Sequence, residues 1–118
     1  MSVTERKEEM SKPTGLVQGT LDLLILTILA LEPMHGWAIA HRIRQMSKEV
    51  LQVGQSALYP ALHKLEQQGL IAAEWKLSDN NRRAKYYSLT RAGRKALAKE
   101  AVQWQRLSSA ISVIVRTA

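Results

Sequence analysis

The sequence predicts a mainly α-helical domain with one small antiparallel β-hairpin and a long C-terminal helix. Three observations carry this. Leu58, Leu62 and Leu65 recur at helical spacing as one apolar stripe, and Gly69 stops that helix. Leu70–Leu77 and Ala84–Leu89 then read as two strands around a polar tip, Ser78 to Arg83. Past Thr90, the apolar residues Leu97, Trp104 and Ile111 follow one another at seven-residue spacing along a single helix.

The remaining elements follow in chain order. Residues 1–15 alternate in charge and carry little apolar surface, which predicts a flexible arm. Thr20 is placed to cap a first helix that runs to about Leu31, where Glu32-Pro33 ends it. The apolar run Leu21–Leu31 is eleven residues long and contains Asp22. A membrane span needs roughly 20 apolar residues, so a buried core helix is expected. The run also lacks the basic flank and small-residue cleavage site of a signal peptide. A second helix is expected from about Gly36 to Ser47, burying Trp37, Ile39, Ala40, Ile43 and Met46 and turning His41, Arg42 and Arg44 outward. Leu51–Val53 reads as short and β-like, and Gly54 as the turn into the third helix. Thr90 caps the last helix, expected to run to about Arg116. Helix, helix, helix, strand, strand, helix is the layout of a winged helix-turn-helix. The expected organisation is an arm over 1–15, a winged helix-turn-helix over 16–89 and a dimerisation helix over 90–118.

Composition narrows the function. Seventeen Lys and Arg against ten Asp and Glu give a net charge of +7 and a pI of about 10.1. That favours a polyanionic partner without separating DNA from RNA or an anionic membrane. The absence of cysteine excludes a disulfide framework and thiolate chemistry and fits a cytoplasmic protein. His35, His41 and His63 lack the spacing and companions of zinc ligands. No nucleophile–base set, carboxylate dyad or Gly-rich phosphate loop stands out, so neither an enzyme nor a cofactor is expected.

The candidate binding residues fall in two groups. A recognition helix presents its first turns to the major groove, and here those turns carry Gln55, Ser56, Tyr59 and Pro60, with Lys64 one turn on. Pro60 is expected to be tolerated because it lies near the helix start. The plain alternative is a solvent-facing helix with Tyr59 half-buried. The second group is Arg82, Arg83 and Lys85 at the hairpin, cations able to reach phosphates or a narrow minor groove. Exposed hairpins often carry Arg and Lys, but residues 82–106 hold eight basic side chains against Glu100 alone.

The last helix offers Leu97, Ala101, Trp104, Leu107, Ile111 and Ile114 as a seam for pairing with a second copy. Such a homodimer would carry the two-fold symmetry expected of a protein on a palindromic DNA operator. Folding back onto its own domain is the competing arrangement. Trp104 could also wall a pocket for a planar effector, with Asp22 nearby to favour a cation, although plain packing is the commoner role of a tryptophan.

Four segments taken together resemble the PadR family of bacterial transcriptional regulators. They are Gly19-Thr-Leu-Asp-Leu-Leu-Ile-Leu26, Met34-His-Gly-Trp-Ala-Ile-Ala40, Ser56-Ala-Leu-Tyr-Pro-Ala-Leu-His-Lys-Leu-Glu-Gln-Gln-Gly-Leu-Ile71 and Arg82-Arg-Ala-Lys-Tyr-Tyr-Ser-Leu-Thr-Arg-Ala-Gly93. The likeness covers roughly residues 16–116. It implies a homodimeric winged-helix repressor of double-stranded DNA, of the short type with one C-terminal dimerisation helix. It also implies that the first helix packs on the partner's last helix, and that some members answer to small aromatic or cationic compounds through a tryptophan at the place of Trp104. Trp37 departs from the commoner tyrosine, and Ser56-Ala57 from a commoner glycine. A protein- or RNA-docking module and a small-molecule sensor or carrier on the same scaffold are the alternatives from other classes. A protected palindrome near the protein's own promoter would exclude the first. Ligand binding without operator release would favour the second.

Overall fold

The computed structural model describes residues 15–117, and side chains from residue 19 onward. The expected N-terminal arm therefore lies outside the described residues, except for Gly15. Four helices and three strands follow in the order α1 (Gly15–Leu31), β1 (Met34–His35), α2 (Gly36–Met46), α3 (Gln55–Gln67), β2 (Ile71–Leu77), β3 (Arg83–Leu89) and α4 (Arg91–Thr117). This is a winged helix with a long helix added.

The apolar run near the N-terminus becomes the central helix. Leu21, Ile25, Leu26, Ile28 and Leu29 of α1 are buried, and α1 packs against α2, α3, β3 and α4. A helix apolar on nearly every side must be covered on nearly every side. No described helix is long and apolar enough to cross a membrane. Thr20 does not cap α1. The helix starts at Gly15, and Thr20 lies more than a turn inside it, because residues 15–19 continue the helical backbone upstream.

Pro33 ends α1, and the two extended residues after it pair with β3, Met34 opposite Tyr87 and His35 opposite Tyr86. This strand was not expected. The β-like Leu51–Val53 forms none, and the edge of β3 not taken by β2 is occupied by Met34–His35. Segment 47–51 instead makes a tight turn, with Lys48 and Glu49 both at positive φ (53° and 71°) and the Ser47 hydroxyl accepting from the Leu51 amide at 2.9 Å.

α2 buries Gly36, Ile39 and Ile43. Trp37 and Met46, expected in the core, are exposed by 64% and 57%. Trp37 lies one residue off the buried stripe, a rotation of about 100°. Met46 lies on that stripe but at the helix end, where the chain turns away from the core.

In α3 the stripe is as expected, with Leu58, Leu62 and Leu65 essentially inaccessible. The helix stops at Gly69 (φ 75°), whose amide donates to the Glu66 carbonyl while Leu70 donates to Leu65, both at 3.0 Å. These two bonds satisfy the helix's last carbonyls and aim the chain into β2. β2 and β3 pair antiparallel from Ile71–Leu89 to Leu77–Arg83, the first strand one residue shorter at its start than expected and the second one residue longer. The tip closes with Ser78 donating to the Arg82 carbonyl at 2.8 Å and Asn81 at φ 63°, a conformation asparagine tolerates.

Thr90 caps α4 as expected, its hydroxyl accepting from the Gly93 amide at 3.0 Å and donating to the Gly69 carbonyl at 2.7 Å. Beyond Ala96 and Leu97, which pack against the core, α4 projects, and the described domain measures 51 × 33 × 26 Å.

Gly93 sits where three elements meet. A Cβ there would lie 2.0 Å from the Leu70 carbonyl oxygen and 2.7 Å from Leu89 Cδ1, and backbone cannot yield that much. Gly93→Ala is therefore expected to cost about 3 kcal/mol, a fall in Tm of about 10 °C. Calorimetry showing an unchanged or higher Tm would refute the packing described.

Candidate nucleic-acid interface

Burying Leu58, Leu62 and Leu65 turns the other side of α3 outward. Gln55, Ser56, Tyr59, Pro60, His63 and Lys64 are all exposed. The N-cap, Gly54, makes no side-chain hydrogen bond to the first turn. Small residues and an uncapped start leave this end open to a close approach. The Tyr59 ring is 43% exposed and lies over Gly36, where a Cβ would come within 2.8 Å of its hydroxyl oxygen. Gly36 thus makes room for the phenol that α3 displays. Pro60 stands in the second helical turn, not the first, because α3 begins at Gln55. It deprives the Ser56 carbonyl of its helical donor, and exposure of that residue lets water replace the bond.

Two candidate cations are already engaged. Lys64 Nζ lies 2.5 Å from Asp22 Oδ2, tying α3 to α1 at the rim of the core. Asp22 Oδ1 is buried and has no hydrogen-bond partner, so the carboxylate depends on that lysine. Asp22 accordingly faces α3 and does not line the groove beside Trp104. Lys85 Nζ lies 3.2 Å from Glu66 Oε1 and 5.6 Å from the ring centre of Tyr87. Burial raises the pKa of the Tyr87 phenol, and the Lys85 ammonium works against that shift. Lys64 and Lys85 therefore serve the fold as internal ties. Arg82 and Arg83 sit at the hairpin end and are exposed. The Arg83 guanidinium lies 5.4 Å from the Trp75 ring centre, within cation–π range.

The structure adds an aromatic row that sequence reasoning missed. His35 caps α2, its Nδ1 accepting from the Ala38 amide at 3.2 Å, and meets Tyr86 edge to face at 5.3 Å. Trp37 stacks on His41 at 5.0 Å and 7°. A cleft of about 670 Å³ joins Trp37, His41 and Arg44 to Gln52, Gln55 and Tyr59. A second, of about 540 Å³, joins Trp37 to Asn80, Arg82 and Arg83. The i, i+4 spacing of Trp37 and His41 was a usable signal for the stack, hidden because Trp37 reads as core.

On α4, Ala101, Trp104, Leu107, Ile111 and Ile114 are exposed, whereas Leu97 packs against the domain's own core. Trp104 borders a groove of about 180 Å³ with Gly19, Thr20, Leu23, Glu100, Gln103 and Leu107.

With this geometry in hand, the family model described as the transcriptional regulator PadR-like family matches residues 25–99. The chain belongs to that family. Its members are transcriptional regulators, not enzymes. The transcriptional regulator Rv3488 of Mycobacterium tuberculosis is 36% identical over 78 residues, covering 66% of this chain and 69% of its own. An uncharacterised 37.1 kDa protein of transposon TN4556 from Streptomyces fradiae is 37% identical over 89 residues, 75% of this chain. This PadR-family chain spans only 24% of that larger protein. Among solved structures, a PadR-family regulator from Eggerthella lenta superposes with a TM-score of 0.76 at 28% identity, covering 99% of this chain and 100% of its own. A transcriptional regulator from Clostridium thermocellum gives 0.78 at 25% identity over 86% of this chain and 99% of its own.

If Lys64 is a tie between helices, its removal leaves Asp22 unpaired beside the core. Lys64→Met is expected to cost about 1–2 kcal/mol, and the pair Lys64→Met with Asp22→Leu less than the sum of its parts. Urea midpoints of the four proteins test this; strictly additive losses would show that the contact carries no energy.

Proposed function

We propose that this regulator is a homodimeric, sequence-specific reader of double-stranded DNA that represses transcription from a palindromic operator. One observation carries the reading. The uncapped, exposed start of α3 and the arginines at the wing tip flank a shared wall, so a single duplex can meet both. Gln55, Ser56, Tyr59 and Pro60 take the base-reading role in the major groove, and Arg82 and Arg83 the phosphate or minor-groove role. Lys64 and Lys85 contribute positive potential without leaving their carboxylates. A protein of this kind works where the chromosome is, in the cytoplasm.

The dimer rests on α4. Past Leu97 the helix keeps an apolar row that the described residues leave partly open, with Trp104 40%, Leu107 44% and Ile111 42% exposed. Covering it with the same row of a second copy gives a closed two-fold assembly. Residues 15–89 then form the reading unit and residues 90–117 the coupling arm. A small aromatic or cationic effector, if this member takes one, fits the groove at Trp104, where Glu100 supplies the acid once expected of Asp22. At about 180 Å³ that groove is smaller than the ~300 Å³ floor of usual ligand sites, so a second copy would have to complete it.

The test is selection of bound duplexes from a random library, followed by comparison of variants on the selected sequence. Tyr59→Ala is expected to lower affinity for the selected duplex by about tenfold and for random duplex far less. Arg82→Ala is expected to weaken both alike and to reduce the salt slope by about one per contact. Failure of the parent protein to enrich any duplex would reject the DNA reading, and equal losses for Tyr59→Ala on both duplexes would reject base readout.

Light scattering should give twice the chain mass. Ile111→Glu should give the single mass and lose most duplex affinity, because one half-site holds much less tightly than two. A parent protein of single mass at micromolar concentration would remove the dimer.

A further inference from the structure

Trp37 is the most exposed of the three tryptophans, at 64% against 57% for Trp75 and 40% for Trp104. Yet its ring is held. His41, one turn on, stacks against it with the ring planes almost parallel, and His35, 6.4 Å away, is itself fixed as the cap of α2. An indole that is ordered but uncovered is prepared for a contact outside the chain, because little side-chain freedom remains to be lost on binding.

Its position says what that contact is. Trp37 is the wall common to both clefts, with Gln52, Gln55 and Tyr59 on one side and Asn80, Arg82 and Arg83 on the other. The cations nearby are Arg44, Arg82 and Arg83, and the acids are Asp79 and Glu49, of which Glu49 is bound to Arg44 at 2.7 Å. With Arg44 paired, Arg82 and Arg83 outnumber Asp79, which favours an occupant that is anionic, extended enough to reach from α3 to the wing, and apolar in part. The sugar–phosphate backbone of a duplex has all three properties. In a helix-turn-helix the first helix of the pair crosses that backbone while the second enters the groove, and here the first helix is α2.

We propose that Trp37 and His41 form a third DNA contact, on the sugar–phosphate backbone between the recognition helix and the wing. The indole packs on deoxyribose and offers its one N–H to a phosphate oxygen, and His41 holds the ring in place and adds a second donor. The contact sets how far α3 enters the groove, since it stops the approach of α2. This inference rests on the DNA-reading function proposed above.

The test uses the full chain and the duplex selected by the parent protein. With Trp75→Phe and Trp104→Phe, Trp37 is the sole tryptophan, and quenching of its selectively excited emission by acrylamide should fall when that duplex is added. Trp37→Ala should lower affinity for selected and random duplexes by similar factors, about tenfold, with the salt slope unchanged because an indole carries no charge. Trp37→Tyr, which keeps a ring and a donor, should recover most of the loss. If the Trp75→Phe, Trp104→Phe protein binds the duplex with the parent's affinity while Trp37 stays fully quenchable, or Trp37→Ala binds within about twofold of the parent, this contact is disproved and the DNA reading stands. If the parent selects no duplex, both fall together. The fluorescence arm leaves Trp37 intact, so it decides the matter even if Trp37→Ala fails to fold.

Discussion

The arrangement depends on the burial of one helix. Five apolar side chains of α1 are removed from water, at about 2 kcal/mol each, and α2, α3, β3 and α4 supply the surfaces that cover them. Each covering element commits its apolar face inward and so has only its other face to show. For α3 this leaves Gln55, Ser56, Tyr59 and Pro60 outward by necessity. For α2 it leaves Trp37 and His41. The surface assigned to DNA is thus the complement of the surface that packs on α1.

Polar ties at the edge of the core fix how these faces sit. Lys64 joins α3 to Asp22 of α1, and Lys85 joins the base of the wing to Glu66 near the end of α3. The bonds at Gly69 and Thr90 bring the end of α3, the start of β2 and the start of α4 to one junction, which Gly93 packs without room for a methyl group. Short contacts at this junction thus connect α4 to the wing and to α3. In the proposed dimer such a connection is what an effector beside Trp104 would need in order to alter DNA binding, because the spacing of two reading heads would have to match half-sites about 34 Å apart.

Elements whose local signals agree with their packing were legible in the sequence. The stripe Leu58, Leu62, Leu65 with Gly69, the hairpin around an Asn-containing tip and the Thr90 cap all fall where they were expected. Most of the errors share a cause: what decides the residue's place lies elsewhere in the chain. Leu51–Val53 looked like a strand, but the free edge of β3 is taken by Met34–His35, and a two-residue strand has no periodicity to read. Trp37 looked like core because indoles usually are, and only the rotation of α2 against α1 shows it outside. Lys64 and Lys85 looked free because the carboxylates that hold them, Asp22 and Glu66, are 42 and 19 residues away. Thr20 looked like a cap because capping residues inside a helix carry no local mark of being there.

Amide hydrogen exchange with and without a selected duplex tests the central claim most directly, that α2, the start of α3 and the wing tip form one DNA-binding face. The account predicts slowed exchange over residues 36–44, 54–60 and 78–83 together, with the projecting half of α4 unchanged in the preformed dimer. Slowing confined to α4, or absent from the start of α3, would contradict it.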